Sequence, residues 1–291
     1  KRRIIFKEVV IMAGITAQAV GNLRKRTGAG MMDCKKALTE AGGDEEKAIK
    51  LLKDWGIAKA AKKSGRGAEE GMLVAVIADD KKSGALVEVN CETDFVANTN
   101  EYKQFALEVA TLVFTKGFQK AEDFDQATTE KISAGISQFG ENILVGSIQT
   151  IKTKGILSSY VHTNYKIGTL IAIEGEGNLA QDAIETLGKD LAVHVSANAV
   201  VAVDKDSINP DVLKAKKEEY AQEVLKSGKP ENMVEKIVLG KLSKFYKDET
   251  LLAQPFLKNE EMSVEELVGS VSKETGITLK VVGFIKTVMG E

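Results

Sequence analysis

At 291 residues the chain is long enough for about two domains, and 40 Lys and Arg against 42 Asp and Glu leave it nearly neutral. That balance gives no electrostatic footprint for nucleic acid or an anionic membrane, and no apolar run approaches the length of a membrane span. Cys34 and Cys91 lie far apart and outside any metal-site spacing, which points to a reducing compartment and a soluble, cytoplasmic protein.

The first eleven residues, KRRIIFKEVVI, are basic and then apolar, and Met12-Ala13-Gly14 looks more like a natural start. Residues 1–11 therefore read as a leader or fusion remnant, with a mitochondrial presequence remnant the less favoured reading. Between Ile15 and about Lys63 three helical patterns follow one another. Thr16 suits an N-cap for the first, and Thr27-Gly28-Ala29-Gly30 ends it. The second carries Met31 to Leu38 and stops at Gly42-Gly43. Asp44 caps the third, Glu45 and Glu46 suit the dipole of its first turn, and Ala48, Ile49, Leu52 and Trp55 form its apolar face. Three short helices make a marginal core, so residues 12–64 are expected to be an adaptor module with a docking face. Adjacent Met31 and Met32 cannot both point inward. One of them either serves a partner or is merely an exposed apolar residue.

A basic helix end, with Lys59, Lys62 and Lys63 on one face, reads as a solvated surface rather than a nucleic-acid patch and leads into a linker at 65–69. Gly84 to Val89 alternates as a half-buried strand that should end near Asn90. Beyond it comes Cys91-Glu92-Thr93-Asp94-Phe95-Val96-Ala97. Two readings of this corner stand side by side. Phe95 tucks into its own core while Asp94 caps the next helix, or the Asp-Phe pair intrudes into a partner and perturbs a nearby cation or phosphate.

The remainder reads as a duplication. A shift of 84 sets Gly71 on Gly155, Gly84 on Gly168, Leu86 on Leu170, Val89 on Ile173 and Leu107 on Leu191. A second echo matches Val145-Gly146-Ser147-Ile148 with Val282-Gly283-Phe284-Ile285. Each half is then strand, strand, helix, insert and closing strand, which makes a small antiparallel sheet with helices on one face. The expected core halves are 70–153 and 154–291. In the first, Ala121 to Glu141 is a short helical excursion. In the second, 210–247 is a helical hairpin with Pro210 opening one helix and Ser227-Gly228-Lys229-Pro230 turning the corner. Met233, Ile237, Val238, Leu242 and Phe245 stripe its second helix toward the first.

Catalytic signals are weak. Gly175-Glu176-Gly177-Asn178-Leu179-Ala180 mimics a dinucleotide fingerprint, but the duplication places it after an antiparallel strand. His162 and His194 are the only histidines, neither at a metal-site or nucleophile spacing. His194 is expected to be packed on a helix, and His162 to sit at an exposed turn. No catalytic residue, metal or cofactor is expected.

Arg26 to Leu38 (RTGAGMMDCKKAL) resembles the amino-terminal signature of bacterial translation elongation factor Ts, and Val89 to Ala97 (VNCETDFVA) resembles that family's second signature. The likeness continues through Gly140-Glu141-Asn142-Ile143, Tyr160-Val161-His162, Ser227-Gly228-Lys229-Pro230 and Gln254-Pro255-Phe256. The resemblance implies an α+β fold: a UBA-like three-helix module, then a duplicated core of two antiparallel sheets with packed helices and a protruding helical hairpin. It also implies a guanine nucleotide exchange factor for the GTPase elongation factor Tu, without covalent chemistry of its own. By the same resemblance Arg24, Met31 and Met32 are partner contacts on the helical module. Thr93, Asp94, Phe95 and Val96 press between partner helices near the partner's Mg²⁺, and His162 presses on the partner beside its nucleotide. Some members carry an additional helix where this sequence ends at Glu291, so 1:1 and 2:2 complexes both stay open. The competing expectations are a scaffold subunit of a larger assembly, as in some RNA-phage replicases, and a nucleotide-dependent enzyme using the Gly175 to Ala180 turn.

Overall fold

A computed structural model describes residues 15–227 and 230–290. The leader at 1–11 and the hairpin corner at 228–229 lie outside the described residues. The helical module has α1 (Ala17–Thr27), α2 (Met31–Glu40) and α3 (Glu45–Lys63). The Thr16 hydroxyl accepts the Ala19 N–H at 3.1 Å, and Asp44 accepts the Lys47 N–H at 3.0 Å, so both expected caps form. Gly28 closes α1 in the left-handed region at φ 68°, where its N–H reaches the Arg24 carbonyl. Val20, Leu23, Cys34, Ala37, Leu38, Ala48 and Leu52 form the core, with Ile49 and Trp55 only partly buried. The carboxy-terminal part of α3 leaves this core and lies along α6 (Gln126–Phe139), where Gly56 faces the Ser133 carbonyl. One helix thus serves two packing surfaces. The basic face is less solvated than its charge suggests: Lys59 pairs with Asp33 at 2.7 Å and Lys63 donates to the Gly140 carbonyl.

Two three-stranded sheets follow. The first has the order β1-β2-β3, from β1 (Glu70–Ile77), β2 (Ser83–Cys91) and β3 (Ile143–Lys152). The second has the order β4-β5-β8, from β4 (Ile156–Val161), β5 (Ile167–Glu174) and β8 (Lys280–Val288), with β5 antiparallel to both neighbours. A helix succeeds the second strand of each half: α5 (Asn100–Lys116) and α7 (Asp182–Ala197). Before each closing strand the first half inserts α6. The second half inserts α8 (Pro210–Lys226), α9 (Glu231–Glu249), a small hairpin of β6 (Pro255–Phe256) and β7 (Asn259–Ser263), and α10 (Val264–Thr275). The capping box of Ser263 and Glu266 at the start of α10 was a legible signal that the chain-order reading missed.

The duplication extends to steric detail. A Cβ on Gly71 would overlap the Val89 carbonyl, and one on Gly155 would overlap the Ile173 carbonyl, the same pair displaced by the repeat. β2 is not half-buried as its alternation suggests. Everything from Gly84 to Cys91 is buried, because the strand is central and covered. Glu88 is tolerated there with the Asn90 amide donating to it at 2.7 Å. Gly175 and Gly177 follow an antiparallel strand and lie against Ile277 and Leu279, so the dinucleotide reading has no parallel βαβ unit to rest on.

The chain divides into two compact units. One comprises the residues up to 74 with 87–148 and Gly290; the other comprises 75–86 with 149–289. In the first, Tyr102, Phe105 and Phe139 meet at tilted and edge-to-face angles, with Gly135 making room for the Phe105 ring. In the second, Ile171, Ile173, Leu187, Leu191, Leu251 and Val264 anchor the core. Leu242 and Phe245 of α9 are buried as their stripe requires, whereas Met233 is exposed in the first turn of α9, close to where α8 has ended. No helix among the described residues is long and apolar enough to cross a membrane.

His194 is fully buried in the second unit. Its Nδ1 accepts the Leu257 N–H at 3.2 Å, so the proton sits on Nε2, which donates to Gln254 Oε1 at 2.8 Å. Burial pushes this imidazole below its ordinary value, against the opposing Gln254 hydrogen bond. A native histidine so lowered protonates first in the unfolded chain. Its contribution is therefore complete above roughly pH 6.5 and is lost as pH falls below that. Chemical unfolding between pH 7 and 5.5 should show stability falling with pH, and His194→Gln should flatten that slope while lowering stability at pH 7. Gly71→Ala and Gly155→Ala should each lower unfolding stability by at least about 1 kcal/mol, since backbone rather than a flexible side chain must yield.

Candidate partner-binding site

Residues at the corner after β2 return the chain from a buried strand to solvent. Glu92 forms the bend, Thr93 caps α4, a single turn over Asp94–Ala97, and Thr99 caps α5 directly behind it. The expectation that Asp94 caps the following helix is therefore corrected, since each of the two helices has a threonine cap in extended backbone. The Thr93 hydroxyl accepts the Val96 N–H at 3.4 Å, and the Thr99 hydroxyl accepts the Tyr102 N–H at 3.2 Å.

The corner is tied down from beneath and from the side. The Tyr102 hydroxyl donates to the Val89 carbonyl at 3.0 Å, and Cys91 Sγ donates to the Thr93 carbonyl at 3.2 Å. Burial, and then the adjacent Cys91, push the Tyr102 phenol far above its usual range, so it stays a neutral donor. From the side, Glu141 Oε2 accepts the N–H groups of Glu92 at 3.1 Å and Thr93 at 3.0 Å, while Oε1 accepts the Thr93 hydroxyl at 2.5 Å. Glu92 Oε1 in return accepts the Asn142 N–H at 2.6 Å and lies 3.5 Å from the Arg66 guanidinium.

On this fixed turn Ala97 is buried, Val96 is half-buried, Asp94 is exposed and Phe95 is 83% exposed. The reading in which Phe95 tucks into its own core is overturned. The α4 turn directs Ala97 inward and leaves the aromatic ring of Phe95 in water. A large apolar side chain held out on a braced turn, beside a carboxylate, is a projection rather than a packing element.

The other predicted site residues fall in two places. Arg24, Met31 and Met32 are all exposed on the helical module of the first unit, Met32 at 73%, so neither methionine packs inward. Arg24 and Met31 line one shallow depression with Gly21, Lys25, Gly28 and Gln138. His162 belongs to the second unit. It begins the exposed turn between β4 and β5, where its carbonyl accepts the Tyr165 N–H at 2.8 Å and Tyr165 takes φ 60°. Nδ1 of His162 lies 2.9 Å from the Tyr160 hydroxyl, which orients the ring. This partner was not foreseen, although the i, i+2 spacing on one strand face could have shown it.

No group of three or more His, Cys, Asp or Glu among the described residues could hold a metal ion. A cleft of about 350 Å³ between α3 and α6 has an apolar floor at Leu52, Gly56, Ile57 and Ala134. The charged groups at its mouth are paired, Arg26 with Glu45 and Glu46, Lys53 with Glu130 and Lys131 with Glu108.

The family model described as "Elongation factor TS" matches residues 92–291. The chain is 40% identical to the elongation factor Ts of Nautilia profundicola, over 96% of this chain and 94% of that protein. It is 40% identical to that of Clostridium kluyveri over 95% and 93%, and 37% identical to that of Chloroherpeton thalassium over 96% and 100%. Because Phe95 contributes little buried area, Phe95→Ala should change the unfolding free energy by less than about 0.5 kcal/mol, read from denaturant titration. A loss of several times that would mean that the ring packs against its own fold.

Proposed function

The chain belongs to the elongation factor Ts family, and on that premise we propose that it is the nucleotide exchange factor for the GTPase elongation factor Tu. It binds the GDP form of that partner and speeds release of the nucleotide, so that GTP can take its place. No covalent step is needed. The observation that carries the reading is Phe95, 83% exposed on a turn braced by hydrogen bonds to Glu141, Cys91 and the Thr93 cap.

An exposed phenylalanine gives up about 1.5–3 kcal/mol of apolar burial in the free protein, and docking into a partner pocket recovers it. Because the turn is already ordered, little of that gain is lost to fixing the segment on binding. Asp94 places a negative charge beside the ring. Brought near the partner's nucleotide site, it repels phosphate oxygens and competes for the environment of their bound cation. Thr93 and Val96 hold the turn. Arg24, Met31 and Met32 supply a second contact area, in which a cation and two adaptable apolar side chains suit a mixed surface on the partner. His162, oriented by Tyr160, provides a third, from the other unit. None of these groups needs to change its protonation state.

The coupling is reciprocal. By whatever factor this protein weakens GDP binding to the partner, GDP weakens the partner's grip on this protein. Exchange is therefore a cycle of displacement in which nucleotide and protein expel each other, and this protein is regenerated unchanged.

Release of a fluorescent GDP analogue from elongation factor Tu, at fixed Mg²⁺, tests the reading. Wild-type protein should accelerate release catalytically. Phe95→Ala should lose about 2 kcal/mol of the interaction that distinguishes the nucleotide-free complex, roughly a thirtyfold fall in exchange efficiency. Release by Phe95→Ala at the wild-type rate would sink the intrusion model, and a stable complex without acceleration would leave a scaffold.

A further inference from the structure

Glu141 stands just before β3, 46 residues along the chain from Phe95, yet its carboxylate is spent entirely on the corner that presents Phe95. Three donors converge on it: the N–H groups of Glu92 and Thr93, at 3.1 and 3.0 Å, and the Thr93 hydroxyl at 2.5 Å. These are charge-assisted bonds to two successive backbone N–H groups and a cap side chain, a combination that fixes the backbone of the bend rather than one rotamer. The Glu92 carboxylate completes the exchange by holding the Asn142 N–H at 2.6 Å, which fixes Glu141's own backbone from the opposite direction.

The second half of the protein serves as an internal control. The shift of 84 sets Gly175-Glu176-Gly177 against Cys91-Glu92-Thr93, and Leu179 against Phe95. The echo of the closing strands sets Thr278 against Glu141. That corner also leaves a buried central strand, but Thr278 stands where Glu141 does. The carboxylate at the strand end, Glu174, holds the Thr153 hydroxyl and the Lys154 N–H, both at 2.9 Å, ahead of β4 rather than the bend itself. Gly175 and Gly177 instead lie close against Ile277 and Leu279. Leu179, in the place of Phe95, packs on the core. The fold therefore closes this corner with no carboxylate held on the bend itself when the side chain there turns inward. The clamp accompanies the one that turns outward.

We propose that Glu141 is a positioning residue for nucleotide exchange, acting through Thr93 to hold Phe95 in its projecting, docking-competent conformation. The proposal rests on the exchange reading above. If the clamp is cut, the bend from Glu92 to Thr93 samples other conformations, and apparent affinity for the partner falls in proportion to the fraction that stays competent. A fall in that fraction to about one-tenth raises the half-saturating concentration about tenfold. The maximal exchange rate is unchanged, because the same Phe95 acts once the complex has formed.

Exchange of fluorescent GDP on elongation factor Tu, titrated with full-length wild type, Glu141→Ala, Glu141→Gln, Phe95→Ala and the double variant Glu141→Ala/Phe95→Ala, provides the test. Glu141→Ala should raise the half-saturating concentration about tenfold with the maximal rate within about twofold. Glu141→Gln can still accept both N–H groups through its carbonyl oxygen, and should stay within about threefold of wild type. In the Phe95→Ala background the same Glu141→Ala change should cost less than about twofold, the non-additivity expected of two residues acting through one feature. Circular dichroism and the unfolding midpoint establish that each variant is folded. Should Glu141→Ala fail to fold, Glu141→Asp, one methylene too short to reach all three donors, takes its place in the same cycle with the same expected loss. Wild-type kinetics for the truncated clamp, or an undiminished loss in the Phe95→Ala background, would overturn the positioning role while leaving the exchange reading intact. Failure of the wild-type protein to accelerate release would instead overturn the exchange reading, and this inference with it.

Discussion

The central strand of each sheet is covered on both faces, and the form of each half follows from that constraint. β2 and β5 are buried along almost their whole length between flanking strands, and α7 packs on β4 and β5. Such a strand cannot bend or fray without exposing unpaired backbone groups, so the chain turns only where it leaves the sheet. Gly71 and Gly155 are required by the same crowding, since the first strand of each half approaches the central one too closely for a side chain. The corners after β2 and β5 are the first positions freed from it. There the two halves diverge, one toward a glycine turn sealed on Ile277 and Leu279, the other toward a braced helical turn that leaves Phe95 in water.

An exposed aromatic ring is a cost to the isolated protein, and three kinds of interaction hold it in place. The Thr93 cap satisfies the start of α4, buried Tyr102 fixes the strand beneath, and two carboxylates exchange backbone N–H groups across the corner. Each is local and directional, whereas the hydrophobic effect alone would fold Phe95 inward as Leu179 is folded. The helical module follows a different logic. Its small core is supplemented by the far end of α3 lying along α6, so a group of three helices that would be marginal by itself gains a second packing surface.

Much of this was legible in the residues. Thr16 and Asp44 as caps, Gly28 as a left-handed stop, the repeat at a spacing of 84 and the packing of His194 all follow from local chemistry or periodicity. Those signals depend on neighbours within a few positions or on self-similarity. The capping box before α10 was equally local and was overlooked amid the insert. What could not be read was anything decided by a distant partner. Alternation made β2 look half-buried, because an alternating run does not say whether its strand lies at the edge or the centre of a sheet, and β2 lies at the centre. Lys59 looked solvated until Asp33, 26 positions away, was placed beside it.

The sequence by itself determined the α+β class, the doubled core and the family, because capping, patterning and long contiguous motifs are properties of the linear chain. Only the tertiary structure decided which way Phe95 faces. The residues on either side of it are compatible with a buried ring under an Asp94 cap or an exposed ring under a Thr93 cap. The choice rests on Glu141, 48 positions beyond Thr93, whose carboxylate meets that corner only after β3 has paired beside β2.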